Sequence, residues 1–165
     1  MISEQLVFPP VLDVCCGSRM MWFDGKDRRA LFIDKRQERH AMPNGRSDAV
    51  IAPDVVADFT ALPFAAESFR LVVFDPPHVN ASRTGPRGRI RKIYGTLPND
   101  WVSLLRGGFA ECFRVLQPHG LLVFKWSEVC YPLRVVLSLT PERPLFGQRT
   151  SKSTHWCVFM KETMH

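Results

Sequence analysis

Short apolar runs recur along this chain, and most of them stop at an aspartate. Residues 7 to 14 read as a first strand, entered through Pro9-Pro10 and running out in Asp13-Val14-Cys15-Cys16-Gly17-Ser18. Residues 30 to 34, ALFID, form a second run, and residues 54 to 58, DVVAD, a third. Residues 71 to 74, LVVF, lack polar alternation, which predicts a strand buried on both faces. Asp75-Pro76-Pro77-His78 stands where that strand leaves the sheet, and the prolines remove backbone donors and stiffen the exit. A fifth strand is predicted over residues 121 to 126, and two more, 144 to 148 and 155 to 161, are joined by a Ser/Thr/Lys turn.

Helical periodicity is clearest over residues 100 to 116, where Trp101, Leu104, Leu105, Phe109, Phe113 and Leu116 fall on one face and Asp100 suits the N-cap. Shorter helical stretches are expected at 19 to 23, 62 to 68 and 129 to 139. Residues 35 to 53 contain Pro43, Asn44-Gly45 and Pro53 and leave room only for a brief helix. Strands alternating with helices predict an α/β fold with a mostly parallel sheet covered on both faces. Ligands of such sheets gather at the carboxyl ends of the strands, near the switch point. Asp13, Asp34, Asp58 and Asp75 are therefore expected to form a rim there.

A chain of 165 residues, 45% hydrophobic and 23% charged, predicts one globular domain over residues 1 to 165. Neither a membrane span of roughly 20 apolar residues nor a signal peptide at MISEQLVFPP is expected. The five cysteines have no CxxC or Cys/His grouping, so no metal site is expected, and reduced thiols suit a cytoplasmic protein. Cys112, Cys130 and Cys157 read as small buried apolar residues. The net charge of +6 is uneven: residues 79 to 99 carry Arg83, Arg87, Arg89, Arg91 and Lys92 with no acid. Loops of about 20 residues in compact domains are usually functional, and this one, with Gly85, Gly88 and Gly95 to let it move, is expected to be a lid that binds phosphates of a polyanion.

These residues resemble a known family. VLDVCCGS (11 to 18) resembles the first motif of class I S-adenosylmethionine-dependent methyltransferases, although Arg19 stands where the pattern has a second glycine. Asp34, 17 positions after Gly17, is similar to the acid that grips a ribose in such folds. Asp58-Phe59 resembles the segment beside the adenine, and Phe74-Asp75-Pro76-Pro77-His78 resembles the D-P-P-Y box of methyltransferases that act on adenine N6 or cytosine N4. Gly120-Leu121-Leu122-Val123 after Leu116-Gln117-Pro118 resembles the entry to strand five, so the likeness covers roughly residues 7 to 160.

The resemblance implies a Rossmann-like class I methyltransferase fold: a mostly parallel seven-stranded sheet with an antiparallel C-terminal strand. It implies S-adenosylmethionine as cofactor, with Asp13, Cys15 and the Gly17 backbone beside the methionine part, Asp34 on the ribose and Asp58 and Phe59 at the adenine. Asp75 belongs to both the cofactor and the catalytic set. The Asp75 carboxylate and Pro76 carbonyl would accept the N–H bonds of a base amine, Pro77 would stiffen the turn, and His78 would stack on the extruded base. DNA is preferred to RNA because an acid rather than asparagine opens the box. With no separate target-recognition domain, selectivity is expected from a second copy of the chain or a partner protein.

Other readings stand beside these. Asp13 also suits a helix cap, Asp34 a solvated strand end and Asp58 a turn cap. Lys125 and Trp126 end the fifth strand, where either can face a substrate, and Trp22-Phe23 can serve as cover or core. Methylation of a protein Gln or Asn amide, and a catalytically silent nucleic-acid-binding module of the same fold, are the alternative functions.

Overall fold

The computed structural model describes residues 8–42, 47–81 and 88–163, with the side chains of 88–90 left aside. Seven strands form one sheet: β1 (Val11–Asp13), β2 (Ala30–Asp34), β5 (Val55–Val56), β6 (Phe69–Phe74), β7 (Leu116–Ser127), β8 (Phe146–Arg149) and β9 (Thr154–Met160). Their order is β5-β2-β1-β6-β7-β9-β8. β1, β2, β5, β6 and β7 run parallel, and β9 is antiparallel to both β7 and β8. The expected mostly parallel sheet with an antiparallel C-terminal strand is therefore present. Its chain order reverses between β1 and β6, which makes the gap between them the switch point.

Period-two alternation sorts the side chains onto two unequal faces. Leu12, Ile33, Phe74, Phe124 and Phe159 belong to the main core, together with Leu105, Phe109, Cys112 and Phe113 of helix α2 (Trp101–Val115). Asp100 caps that helix, its carboxylate accepting from Ser103 N–H at 3.4 Å. Gly108 permits the close approach: a Cβ there would lie 2.7 Å from Phe74 Cζ and 2.8 Å from Phe59 Cδ2. The opposite face carries a small cluster, Cys16, Ala30 and Phe32 with Val11 and Trp22. Turns between β1 and β2 supply its cover, where a helix was expected.

Several predicted elements differ. Residues 19 to 23 form turns, because Gly17 and Arg19 take left-handed φ of 51° and 58°, which an α-helix excludes. Residues 35 to 53 hold an antiparallel hairpin of β3 (Glu38–His40) and β4 (Ala49–Ile51), the latter alternating buried, exposed, buried. The third sheet strand is only Val55–Val56, so Asp58 lies beyond it. Residues 62 to 68 also form turns, with Pro63 unable to donate and Glu67 at φ 60°. Helix α3 (Leu133–Leu137) starts late because Pro132 occupies its N-cap.

The basic segment is not a plain loop. Residues 88 to 94 form helix α1 (Gly88–Tyr94), which ends at Gly95 with φ 76° and a Gly95 N–H bond to the Arg91 carbonyl at 2.8 Å. Its base is pinched shut where Leu97 N–H donates to Val79 O (2.8 Å) and Ala81 N–H to Leu97 O (2.9 Å). Among the described residues no helix is long and apolar enough to cross a membrane. Cys112 and Cys157 are buried as expected, whereas Cys15 and Cys130 are half-buried.

Candidate active site

A cleft of about 660 Å³ opens at the carboxyl ends of the parallel strands and is lined by Asp13, Asp34, Asp75 and Lys125 among others. That size suits a cofactor-sized ligand. The sheet register explains the convergence. Asp13 pairs with Phe32 on one side and Val73 on the other, and Val73 pairs with Val123. Asp34, Asp75 and Lys125 each lie two residues further on, so all four side chains leave the thinly covered face at one edge. Trp156, the partner of Lys125 across β9, joins the same wall.

Asp13 is buried, and its oxygens accept from Trp22 Nε1 at 2.7 Å and Cys15 N–H at 3.2 Å. Burial pushes its carboxyl up to about 7, against the pull of those two neutral donors; Asp75 and Asp34 push in the same direction. Burial likewise raises the Cys16 thiol to about 12, so it stays protonated at neutral pH. Arg19 fills its glycine-like backbone position by anchoring its side chain elsewhere. It donates to Gly25 O (2.6 Å), Ala52 O (2.7 Å) and Asp54 Oδ1 (2.9 Å) and lies 4.0 Å over the Phe32 ring.

Asp34 is fully engaged. It accepts from Gly17 N–H (3.0 Å), Arg36 N–H (3.0 Å) and the Arg36 guanidinium at 3.1 and 3.3 Å. Four donors use the four lone-pair sites of a carboxylate. The same guanidinium donates to Lys92 O and Ile93 O, each at 3.2 Å, and so holds the C-terminal end of α1. Asp58 does not line the cleft; its Oδ1 accepts from Thr60 N–H (2.9 Å) and Oγ1 (2.8 Å), the turn-cap arrangement. Phe59 does line it, with its ring at 5.2 Å from Phe74.

Asp75 and Lys125 meet on neighbouring strands, Lys125 Nζ lying 2.6 Å from Asp75 Oδ2. Asp75 Oδ1 is buried with no hydrogen-bond partner. Burial raises the Asp75 carboxyl above its ordinary value, while the Lys125 ammonium and His78 pull it down. Pro77 lines the cleft; Pro76 is buried beside it. His78 stands outside the lining, its ring centroid 6.1 Å from Tyr94 and 6.3 Å from Trp126. Of the basic residues, Arg91 and Lys92 line the cleft, Arg89 lies on α1, and Arg83 and Arg87 fall outside the described residues.

Sequence reasoning passed over Arg36, Tyr94 and Trp156, and left Lys125 undecided against Trp126. Trp126 is buried, with its indole N–H on Tyr131 O at 2.9 Å. A signal for Lys125 existed: LVVF-D and LLVF-K are two apolar runs that each end in one charge, and in register those charges meet. Trp156 and Arg36 had no comparable signal, since only strand pairing and helix placement bring them in.

No family model matches the chain, and no curated protein matches it. Solved structures do. The PH0226 protein of Pyrococcus horikoshii OT3 is similar at a TM-score of 0.63 and 14% identity, over 92% of this chain and 81% of that one. A TehB-like SAM-dependent methyltransferase from Corynebacterium glutamicum gives 0.54 and 13%, over 92% and 79%. A SAM-dependent methyltransferase from Methanosarcina mazei gives 0.52 and 13%, over 93% and 92%. Identities this low speak for architecture alone, and the architecture is the Rossmann-like fold of the S-adenosylmethionine-dependent methyltransferases.

Proposed function

We propose that this chain is an S-adenosylmethionine-dependent methyltransferase that methylates an exocyclic amino group of a nucleic-acid base, with adenine N6 in DNA as the first candidate. One observation carries the reading. Asp75, at the switch point and followed by Pro76-Pro77, keeps one buried carboxylate oxygen without a partner in a cleft that also holds Arg91 and Lys92. The acid-opened proline box favours a DNA base. RNA bases and cytosine N4 present the same amine chemistry.

The residues fit the cofactor. Asp13 is touched only by neutral donors, whereas Asp34 and Asp75 each have a cationic side chain against them, so Asp13 is the acid left to face a cationic ligand. Asp13, Cys15 and Gly17 would hold the methionine part, Asp34 the ribose and Phe59 the adenine; Asp58, outside the lining, would reach the adenine amino group only by turning Oδ2 away from Lys35 Nζ, 4.0 Å from it. Asp34 serves the ribose only when the Arg36 guanidinium gives way. When bound, S-adenosylmethionine supplies an electrophilic sulfonium methyl.

The chain's own residues do the rest. A base amine is a poor nucleophile because its lone pair is delocalised into the ring. Asp75 Oδ1 and the Pro76 carbonyl, accepting its N–H bonds, favour a tetrahedral nitrogen with the lone pair free, and the Asp75 carboxylate receives the proton that the amine sheds. His78, proposed to stack on the base, lies outside the cleft lining, and Tyr94 and Trp156 join Phe59 as aromatics at the cleft wall. Arg91 and Lys92, with Arg83, Arg87 and Arg89 of the same segment, would hold phosphates. Target choice would come from a second copy or a partner protein, and five cysteines without CxxC spacing suit the cytoplasm.

The test is incubation with methyl-labelled cofactor and single-stranded DNA, duplex DNA, RNA or cell protein, followed by separation of nucleosides. Label is expected in N6-methyladenine from DNA, and Asp75→Ala should cut it by about 10²–10³-fold, as loss of an aimed electrostatic group does. Label confined to protein, or full activity in Asp75→Ala, overturns the reading.

A further inference from the structure

We propose that Lys125 is a positioning residue of this site: by holding Oδ2 of Asp75, it reserves Oδ1 as a pure acceptor for the substrate amine. The inference rests on the reading of Asp75 given above and adds a residue to it. Three observations carry it. The ammonium sits 2.6 Å from Oδ2, in a pair whose side chains are only 21% and 10% exposed. The second oxygen, Oδ1, is buried and unpartnered, an arrangement that costs free energy unless a donor arrives from outside. Lys125 Nζ also lies 5.8 Å from both the Tyr94 and Trp156 ring centroids, one from α1 and one from β9, which restrains where the ammonium can go.

The chemistry follows from who faces Asp75. β1 contributes Asp13, the following turn Cys15, its own segment His78 and β7 Lys125, and Arg91 and Tyr94 of α1 line the same cleft. Burial favours a protonated Asp75, whose O–H would donate where an acceptor is needed. The Lys125 ammonium, 2.6 Å from Oδ2, opposes that protonation by its charge and its N–H bond, which leaves Oδ1 free of a proton and able only to accept. Asp13 shows the alternative, since it touches no cation and stays protonated up to about pH 7. Lys125 thus decides which of the cleft's acids is an acceptor.

The experiment compares wild type, Lys125→Met and Lys125→Arg, after thermal melting confirms that each is folded. The titration of the Asp75 carboxyl is followed by carbon-13 NMR, assigned with Asp75→Asn. Methyl transfer to a single-stranded oligodeoxynucleotide containing adenine is followed as a pH profile. In Lys125→Met the Asp75 titration and the acidic limb of kcat should both move to higher pH, with kcat at neutral pH down more than tenfold and KM little changed. Lys125→Arg should restore both positions. An Asp75 titration identical in wild type and Lys125→Met overturns the proposal whether or not transfer is seen, and so does an unmoved acidic limb. A titration that moves in a wild type that methylates no nucleic acid overturns the substrate reading alone.

Discussion

Asp13 makes the cost of this cleft measurable. Folded, it keeps its proton up to about pH 7; unfolded, it releases it near its ordinary 3.8. Between those values the folded state binds more protons, so stability should fall as pH rises from about 4 to about 7. Asp13→Asn, which retains one of the two acceptors, should flatten that slope; melting temperatures measured across the range check it. A chain whose Asn variant keeps the wild-type slope would place the titration elsewhere. Arg19 illustrates how a residue can meet a backbone demand from outside the glycine class. A left-handed φ costs it roughly 1–2 kcal/mol, offset by three hydrogen bonds and the stacking on Phe32. The missing second glycine therefore changes how the turn is secured and leaves its path open to a ligand.

At the scale of elements, α2 packs on the main-core face against Phe74 of β6, and its two adjacent glycines meet their surroundings unequally. A Cβ at Gly107 would sit 3.5 Å from Thr60 Cγ2, an ordinary contact, whereas one at Gly108 would strike Phe74 and Phe59 at 2.7 and 2.8 Å. Alanine gains about 1 kcal/mol of helix propensity over glycine at either site. At Gly108 overpacking, about 1–3 kcal/mol, outweighs that gain. Gly107→Ala should thus raise the denaturation midpoint and Gly108→Ala lower it. The sequence showed α2 almost residue for residue, because its apolar stripe and Asp100 cap are local signals. It showed the strands by composition but misjudged their ends, and it took two turn segments for helices. The reasons are local too: Arg19 and Glu67 adopt positive φ, which no residue-type preference announces.

Across the whole molecule, Arg36 ties two functions together. Its guanidinium spans from Asp34, at the end of β2, to the C-terminal carbonyls of α1, which carries Arg91, Lys92 and Tyr94. A ligand hydroxyl that takes Asp34 must displace it and so loosens α1. Arg36→Ala should tighten S-adenosylmethionine binding several-fold in calorimetry and raise hydrogen exchange in α1. Unchanged affinity would mean that Asp34 is not the ribose acceptor.

The acids at strand ends, the proline box, the acid-free basic segment and the α/β alternation were all readable from residue order, since each depends on neighbours in the chain. Which charges meet was not. Asp75 finds Lys125, Lys125 finds Trp156, and Asp34 finds Arg36 and α1 through parallel register and a crossing helix. Those pairings are set by how distant segments pack, and period-two alternation can say only that a side chain faces one side, never what waits for it there.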